Sequence, residues 1–399
     1  MQLLVVGEVG FQYIGTIPVR KQVSKRKYEM NTLSIEERQA LRDTVHKLFT
    51  DASTEAAVRA VMETESGFDP TLWKQMGQMG VIGLTIDEKF GGSGAGPLEL
   101  EAVMEEAGAA LLCSPLLASG VVAAQLLKAL GDASVNQRLL PQIASGQTIA
   151  SAVITSDSGC WTRSGVSIEA DTNGDTAQLS GTGNYVLHGQ NADVLIVITK
   201  QGDELVAYEV DPKDDAVEIE ALPTFDHTLR MAKVQFKGAS GNRISSAVPV
   251  WDAVQSALNL ATVALAGEQA GGARKIFEIT VEYAKTRVQF GRIIGSFQAI
   301  KHMAADLLIE TESATSAARY AATCLAEGSK KTSEAISLAA FACGDAFVKT
   351  AADGVQMHGG IAFTWEHPAH LYLKRARADA QLFGSSDFHR ENYLVALGG

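Results

Sequence analysis

Hydrophobic and polar residues follow three successive patterns along the chain. From Ile35 to about Gln147, apolar residues recur every three or four positions, which is the spacing of amphipathic helices. From Thr148 to about Ile244, short alternating or wholly apolar runs separated by Asn-Gly, Gly-Asp and Asp-Pro predict β-strands. Helical patterns return after Pro249, over Val250 to Gln289, Ser296 to Glu327, Thr332 to Met357 and Ser386 to Leu397.

This order predicts an α+β multidomain protein. We expect an N-terminal helical domain over residues 30–147, a central β domain over 148–245 and a C-terminal helical bundle over 246–399. The order does not match the alternation of strands and helices in a Rossmann protein.

Residues 1–29 are predicted to be an extension of doubtful function. The short apolar run at its start has no basic residue before it, so it lacks the pattern of a secretory signal. A basic run over residues 20–27 allows a targeting or phospholipid-binding arm, but an extension without such a role is favoured. Met30 precedes a capping box formed by Ser34 and Glu37, so a second start at Met30 would begin the chain at its first helix.

Composition narrows the possible functions. The 399 residues are 46% hydrophobic and carry 34 basic against 46 acidic residues, a formal net charge of −12, which disfavours nucleic acid as a partner. No window approaches the roughly 20 apolar residues of a membrane span. The four widely spaced cysteines form neither a disulfide framework nor a zinc site, so a cytoplasmic location is expected.

The run YAKTRVQFGRIIGSFQAIKHMAADL, residues 283–307, is the first candidate binding segment. Arg287 and Arg292 flank Phe290, and Gln298 begins the next helix. An arginine beside a new helix N-terminus can hold a phosphate, because the guanidinium and the free amide groups both favour an anion. A solvated helical hairpin with ordinary surface arginines explains the same pattern.

Gln356 and the pair Gly359-Gly360 form the second candidate segment. Paired glycines that end a helix allow a close backbone approach, and a glutamine can donate to and accept from a nucleotide edge. Three nearby histidines and Glu366 lack the spacing of a metal site, so no metal is predicted. The loop Gly91–Gly96 has the wrong spacing for a dinucleotide fingerprint and is interpreted as a turn.

At these two segments the sequence resembles the acyl-CoA dehydrogenase family. Residues 283–307 are similar to the family's R-x-x-F-G-x-x-x-x-x-F/H-Q-A-I segment, and residues 356–368 to its Q-x-x-G-G…T-E-x-P segment. MGVIGLTIDEKFGGSG, residues 79–94, is similar to a further motif, so the resemblance extends from about residue 35 to the end. It implies an acyl-CoA dehydrogenase fold, with a helical domain, a central β-barrel-like domain and a four-helix bundle that oligomerises.

The resemblance also implies an FAD cofactor that lies between the β domain and the bundle. By motif position, residues of the bundle would contact the FAD of a neighbouring subunit: Arg287, Phe290, Gln298, Gln356, Gly359 and Gly360. Thr155, the residue that survives from the family's T-E-P-x-A-G-S-D loop, is a further candidate cofactor contact. The strand that usually carries a tryptophan beside the flavin ring lacks it here.

The family's catalytic base is the most important departure. A glutamate in a dry pocket normally removes the α-proton of the acyl-CoA thioester, while the β-hydrogen leaves as hydride to the flavin. In this chain the common position of that glutamate holds Phe383, and an alternative position on the first bundle helix holds Ala261. Neither side chain can accept a proton.

Three hypotheses follow from this departure. The favoured one is the base-lacking subunit of an α2β2 heterotetramer, resembling actinobacterial steroid acyl-CoA dehydrogenases, in which a partner chain supplies the glutamate for a bulky steroid side-chain acyl-CoA. The second is a self-sufficient homo-oligomer with a non-standard base, for which Glu268 is the candidate and Asp387 and Glu391 are weaker ones. The third is a scaffold that has lost the chemistry. An electron-transferring flavoprotein is the family's expected acceptor.

Overall fold

The computed structural model describes residues 33–173 and 176–398. The predicted extension, residues 1–29, lies outside the described residues. The predicted order of helical, barrel-like and helical parts is confirmed, whereas the precise domain boundaries stay predictions.

The first part is helical because its polar caps and its apolar faces both favour helices. At the first helix, the Ser34 hydroxyl accepts from the Glu37 amide and the Glu37 carboxylate accepts from the Ser34 amide, which confirms the capping box. Asp69 and Asp132 cap two later helices, because their carboxylates accept from backbone amides of the first turn. The helices are α1 Ile35–Ala52, α2 Glu55–Met62, α3 Pro70–Gln78, α4 Pro97–Ala109, α5 Ala124–Leu130 and α6 Ala133–Ala144, with a π-helical stretch, Leu116–Ala123, before α5.

The middle part is a seven-stranded sheet that closes on itself. β4 pairs with β1, β2 and β5, while β7 pairs with β3, β5 and β6, so the hydrogen-bonded path β4-β2-β3-β7-β5 returns to β4. Closure of this kind removes free strand edges and produces a barrel-like domain. The strands are β1 Ala150–Val153, β2 Glu169–Asn173, β3 Thr176–Leu187, β4 Val194–Gln201, β5 Glu204–Val210, β6 Val217–Ala221 and β7 Met231–Ile244.

Strand β4 is apolar on both faces because both faces are covered. Leu195 and Val197 belong to the core inside the barrel. Ile196 and Ile198 belong to the large core shared with the helices. The continuous apolar run in the sequence is therefore a strand buried on two sides.

The last part consists of helices around the long α7. Small residues let α7 cross α4 closely: a Cβ at Gly271 would lie 1.8 Å from the Glu105 carbonyl oxygen, and one at Gly108 would lie 1.9 Å from the Glu268 carbonyl oxygen. The elements are α7 Val250–Thr286, β8 Val288–Gln289, β9 Arg292–Ile293, α8 Gln298–Ala326, α9 Thr332–His358, α10 Ala369–Asp379 and α11 Ser386–Ala396.

Two elements differ from the sequence prediction. The first long helix ends at Thr286 rather than Gln289, because the next residues pair as a short hairpin. Helix α10 was not predicted, although Pro368 immediately before it is a residue that tolerates a helix start.

The stretch Thr332–Phe363 has the length and mean hydropathy, 1.3, of a membrane-spanning helix, which the sequence prediction did not anticipate. In the fold, 56% of its most apolar window is buried. Alanines such as Ala335, Ala339 and Ala346 pack into a core cluster of the helical domain. Length and composition alone are weak evidence for a span, and this packing is that of a core helix.

Candidate functional site

The first candidate segment forms a corner between α7 and α8. The hairpin of β8 and β9 turns at Phe290 and Gly291, whose φ angles are +53° and +77°. Two consecutive positive φ values are typical of the tight two-residue turns that join antiparallel strands. The turn holds the Phe290 ring outward, where 92% of the residue is exposed.

Unpaired polar groups collect at this corner. The Arg287 side chain is exposed and has no ion-pair or hydrogen-bond partner within residues 33–173 and 176–398. Helix α8 begins at Gln298 after Phe297, and no side chain caps its first turn. An uncapped turn of a 29-residue helix offers amide groups and positive dipole to an anion.

The second candidate segment lies beside the first. The Tyr283 ring of α7 stacks on the His358 ring of α9 with centroids 4.5 Å apart, so Arg287 and Gln356 stand on neighbouring helix ends. Gly359, with φ +68° and ψ −146°, ends α9 in a conformation that favours glycine. A Cβ at Gly359 or Gly360 would meet nothing within 4 Å, so this backbone faces open space.

The histidines near this segment are ring-stacking residues. His358 and His367 have ring centroids 4.3 Å apart, and burial lowers the pKa of both. His358 Nδ1 lies 2.7 Å from the Gly354 carbonyl oxygen, which makes it a donor, and its buried Nε2 has no partner among the described residues. No group of three metal-ligating side chains occurs in the described part of the chain.

Thr155 lies in the loop that follows β1. Its hydroxyl donates to the Cys160 carbonyl oxygen at 2.9 Å, and its own carbonyl accepts from the Asn184 amide. The residue is 2% exposed, so its side chain shapes the loop from within.

A cleft of about 390 Å³ opens between the barrel and the helices, next to Phe383. The Trp161 ring packs edge-on against the Phe383 ring, with centroids 5.1 Å apart. Phe383 is 3% exposed and has a positive φ of 60°, and Ala261 is completely buried on α7. Among the described residues, the cleft is lined by aromatic, aliphatic and neutral polar side chains with Arg163 and His389, and no aspartate or glutamate lines it.

His389 is a cleft residue that sequence reasoning missed. Burial lowers its pKa to about 4, although a hydrogen bond that the ring donates to the Phe383 backbone opposes the shift. It is therefore a neutral and weakly basic imidazole near pH 7. No signal in the sequence alone distinguishes it from a surface histidine of α11.

Glu268 lies in a buried ion cluster and not in the lining of the cleft. Its carboxylate is 2.8 Å from the Arg375 Nε, and Arg375 also donates to the Leu112 carbonyl oxygen at 2.9 Å. Asp226 and Asp379 complete the cluster, each 3.5 Å from the Arg375 guanidinium. These contacts join the three parts of the fold.

The weaker base candidates have ordinary surroundings. The Asp387 side chain is 94% exposed and pairs with Arg390, and Glu391 is exposed on α11. Sequence reasoning also missed Arg375, although an arginine between the apolar positions Leu371, Tyr372 and Ala376 of α10 could have indicated a buried cation.

Comparisons with known proteins agree with this geometry. The family model for the acyl-CoA dehydrogenase N-terminal domain matches residues 35–147, and that for the C-terminal domain matches residues 251–397. The acyl-CoA dehydrogenase IpdE2 of Mycobacterium tuberculosis is 35% identical over 352 residues, which cover 88% of this chain and 94% of the relative.

Solved structures show the same fold at modest identity. The ChsE4-ChsE5 complex from Mycobacterium tuberculosis has a chain with a TM-score of 0.84 and 26% identity, covering 92% of this chain and 98% of that one. A variant of the Tcur3481-Tcur3483 steroid ACAD has a TM-score of 0.81 and 26% identity, covering 91% of this chain and 98% of that one.

Fold and matches together define a flavin-dependent oxidoreductase. The chain belongs to the acyl-CoA dehydrogenase family, whose cofactor is FAD. The corner fits such a dinucleotide, because an unpaired arginine and an uncapped helix suit its phosphates. The open backbone at Gly360 leaves room beside them.

Proposed function

We propose that this chain is the base-lacking subunit of a heteromeric acyl-CoA dehydrogenase. The observation that carries the proposal is the cleft at Phe383, whose described lining contains no carboxylate. A carbon acid activated by a thioester needs a base of matched pKa within reach, and neither Phe383 nor Ala261 provides one. A partner chain would supply the glutamate.

The corner supports the other half of the proposal. Arg287 and the first turn of α8 would hold the phosphates of an FAD shared with the partner, and Gln298 would orient it. Gln356, Gly359 and Gly360 would border the same cofactor from the end of α9, with Phe290 reaching outward from the hairpin and Thr155 shaping the loop near the ring. With FAD bound, the substrate's β-hydrogen leaves as a hydride to the flavin.

The relatives favour a steroid substrate and a two-chain assembly. Two of the similar structures carry paired names, ChsE4-ChsE5 and Tcur3481-Tcur3483, and the second is described as a steroid ACAD. We extend both properties to this chain, with a bulky steroid side-chain acyl-CoA as substrate, an α2β2 heterotetramer as assembly and an electron-transferring flavoprotein as acceptor.

Co-expression tests the proposal. The chain is produced alone and together with a glutamate-bearing acyl-CoA dehydrogenase chain, and flavin absorbance, particle mass and acyl-CoA oxidation with ferrocenium are recorded for both preparations. We expect a colourless, inactive chain alone, and a yellow, active α2β2 complex.

The other two hypotheses predict different results. Turnover by the chain alone would reject the heteromer and favour a self-sufficient enzyme. Absence of flavin from both preparations would favour a scaffold. The ion pair between Glu268 and Arg375 at 2.8 Å supports a structural role for Glu268 over a catalytic one.

A further inference from the structure

The buried ion cluster gathers three carboxyl groups around one arginine. The Arg375 guanidinium of α10 lies 2.8 Å from Glu268 of α7 and 3.5 Å from Asp226, in the loop between β6 and β7. Asp379, one turn further along α10, is also 3.5 Å away, and the Leu112 carbonyl oxygen after α4 accepts from the same guanidinium. Each of the four charged residues is at most 5% exposed. One cation therefore faces three carboxyl groups at the place where the three parts of the fold meet.

The three carboxyl groups have unequal hydrogen-bond partners. Glu268 accepts from the Arg375 Nε, and Asp226 accepts from the Thr228 amide at 2.9 Å and from its hydroxyl at 2.7 Å. Neither oxygen of the Asp379 side chain has a hydrogen-bond partner among the described residues. A buried carboxylate without donors loses its hydration and gains nothing in exchange. Asp379 is therefore the group of the cluster whose negative charge costs most.

The titratable groups around the cluster supply no further positive charge near pH 7. Burial lowers the pKa of His389 to about 4 and that of His188 to about 3, so both rings are neutral. Burial also raises the pKa of the Cys113 thiol to about 12. Arg230, the other arginine close to His188, donates to three backbone carbonyl oxygens. The charge of Arg375 is thus shared among all three carboxyl groups.

A small polar cavity beside Asp379 suits a neutral carboxylic acid. The cavity measures about 10 Å³, the volume of about one water molecule, and Thr262, Gln269 and His389 also line it. The Thr262 hydroxyl already donates to the Leu258 carbonyl oxygen at 2.8 Å, so towards the cavity it offers lone pairs. A protonated Asp379 can donate into this space, whereas a carboxylate would need donors there. Thr262 and His389 line the cleft as well, so the proton can exchange by that route.

We propose that the buried ion cluster is a pH-sensitive junction between the three parts of the fold, in which Asp379 is a neutral carboxylic acid whose ionisation weakens the contacts made through Arg375. Ionisation adds a third negative charge beside one positive charge in a site without water to screen it. The inference goes beyond the proposed function and does not depend on it.

The direction of the pH dependence follows from the state of Asp379. Burial raises its pKa well above the ordinary value of 3.8, and the Glu268 carboxylate raises it further. The folded protein therefore keeps a proton that the unfolded chain loses near pH 3.8. This contribution to stability is complete below that pH and is lost as the pH rises through the folded pKa.

Infrared spectroscopy of the full-length chain tests the protonation state. At pH 6, the spectrum of the parent minus that of Asp379→Asn should contain the carbonyl stretch of one protonated carboxylic acid. The matched control Asp51→Asn, at an exposed aspartate of α1, should give no such band. Absence of the band from the Asp379→Asn difference would overturn the proposal.

Urea unfolding tests the effect on stability. The midpoint of Asp379→Asn, measured relative to that of the parent, should rise between pH 5 and pH 8, because the variant has no group to ionise at this position. The subtraction cancels the other groups that titrate in this range, such as Glu101, whose pKa burial raises to about 7. A difference that is the same at both pH values would reject the proposal. Asp379→Ser provides a second neutral variant, and failure of both variants to fold would show that the charge is required.

Hydrogen exchange tests whether the junction itself loosens. At pH 8 the amides of residues 226–230 should exchange faster in the parent than in Asp379→Asn, and at pH 5 the two proteins should agree. Residues 211–215, in another loop of the barrel, should exchange equally in both proteins at each pH. Equal exchange of residues 226–230 at pH 8 would mean that ionisation does not weaken the junction. None of these measurements uses flavin or substrate, so their failure leaves the proposed function standing, and failure of the co-expression test leaves the junction standing.

Discussion

The cleft at Phe383 lies between the barrel and the helices, whereas the corner at Arg287 lies between α7 and α8, and their side chains are used differently. In the cleft, Trp161 packs on Phe383 and burial keeps His389 neutral. At the corner, Arg287 has no partner among the described residues, and Phe290 is 92% exposed. The comparison teaches that the walls of the cleft pack against one another within this chain, whereas the corner offers groups to something outside it.

The largest expected effect is on stability at the cleft. Phe383→Ala should lower the free energy of unfolding by about 3–5 kcal/mol, because it removes a buried ring that contacts Trp161. Phe225→Ala, at a ring that is 67% exposed, should stay within about 0.5 kcal/mol. Urea unfolding measures both. Equal losses in the two variants would mean that the cleft is not packed within the chain.

A substitution at the corner should change flavin binding and turnover, and it should leave stability unchanged. Arg287→Glu in the co-expressed complex should reduce bound flavin and lower turnover about 100-fold, because an anion would face the cofactor phosphates. Lys330→Glu, an exposed position between α8 and α9, serves as the matched charge reversal and should leave both unchanged. Full flavin content in Arg287→Glu would show that the corner does not hold the cofactor.

Substitution of Glu268 tests whether the buried ion cluster stabilises the fold or takes part in turnover. Glu268→Gln should lower the free energy of unfolding by about 1–3 kcal/mol, because Arg375 loses a charged partner at 2.8 Å. Turnover of the complex should remain intact, and the exposed control Glu282→Gln should change stability by less than about 0.5 kcal/mol. A loss of turnover at unchanged stability would instead make Glu268 the base.

The smallest effect concerns acid sensitivity of the cleft. Burial lowers the pKa of His389 from 6.5 to about 4, so the unfolded chain binds its proton first as the pH falls. This contribution to stability is complete above about pH 6.5 and is lost between pH 6.5 and about 4. His389→Gln should therefore reduce the acid-induced loss by about 1–2 kcal/mol in urea titrations at pH 7 and pH 5.

Other histidines contribute to the same measurement, and one of them provides a control. Burial lowers the pKa of His188 to about 3 and that of His370 to about 4. These two histidines therefore cause part of the acid-induced loss of stability in every variant. His227→Gln, at an exposed histidine, should show the same acid-induced loss of stability as the parent protein. If His389→Gln and His227→Gln behave alike, His389 is not a buried neutral group.

The sequence by itself determined the elements that depend on near neighbours. Periodicity predicted the helical, strand and helical order, and Ser34 with Glu37 predicted the first helix start, because caps and amphipathic faces are local. The start of α8 at Gln298 is local as well, because the helical pattern of apolar residues begins there. The two candidate cofactor-binding segments were recognised because their glycines and arginines occur at characteristic spacings.

Only the tertiary structure decided which distant residues meet. Tyr283 and His358 bring the two segments together, Trp161 reaches Phe383, and Glu268 finds Arg375 at a separation of 107 residues. A sequence pattern reports which face of a helix is apolar, but not which element will cover that face. The role of Glu268 was open for that reason, since a buried carboxylate is a base or an ion-pair partner according to the neighbour that packing places beside it.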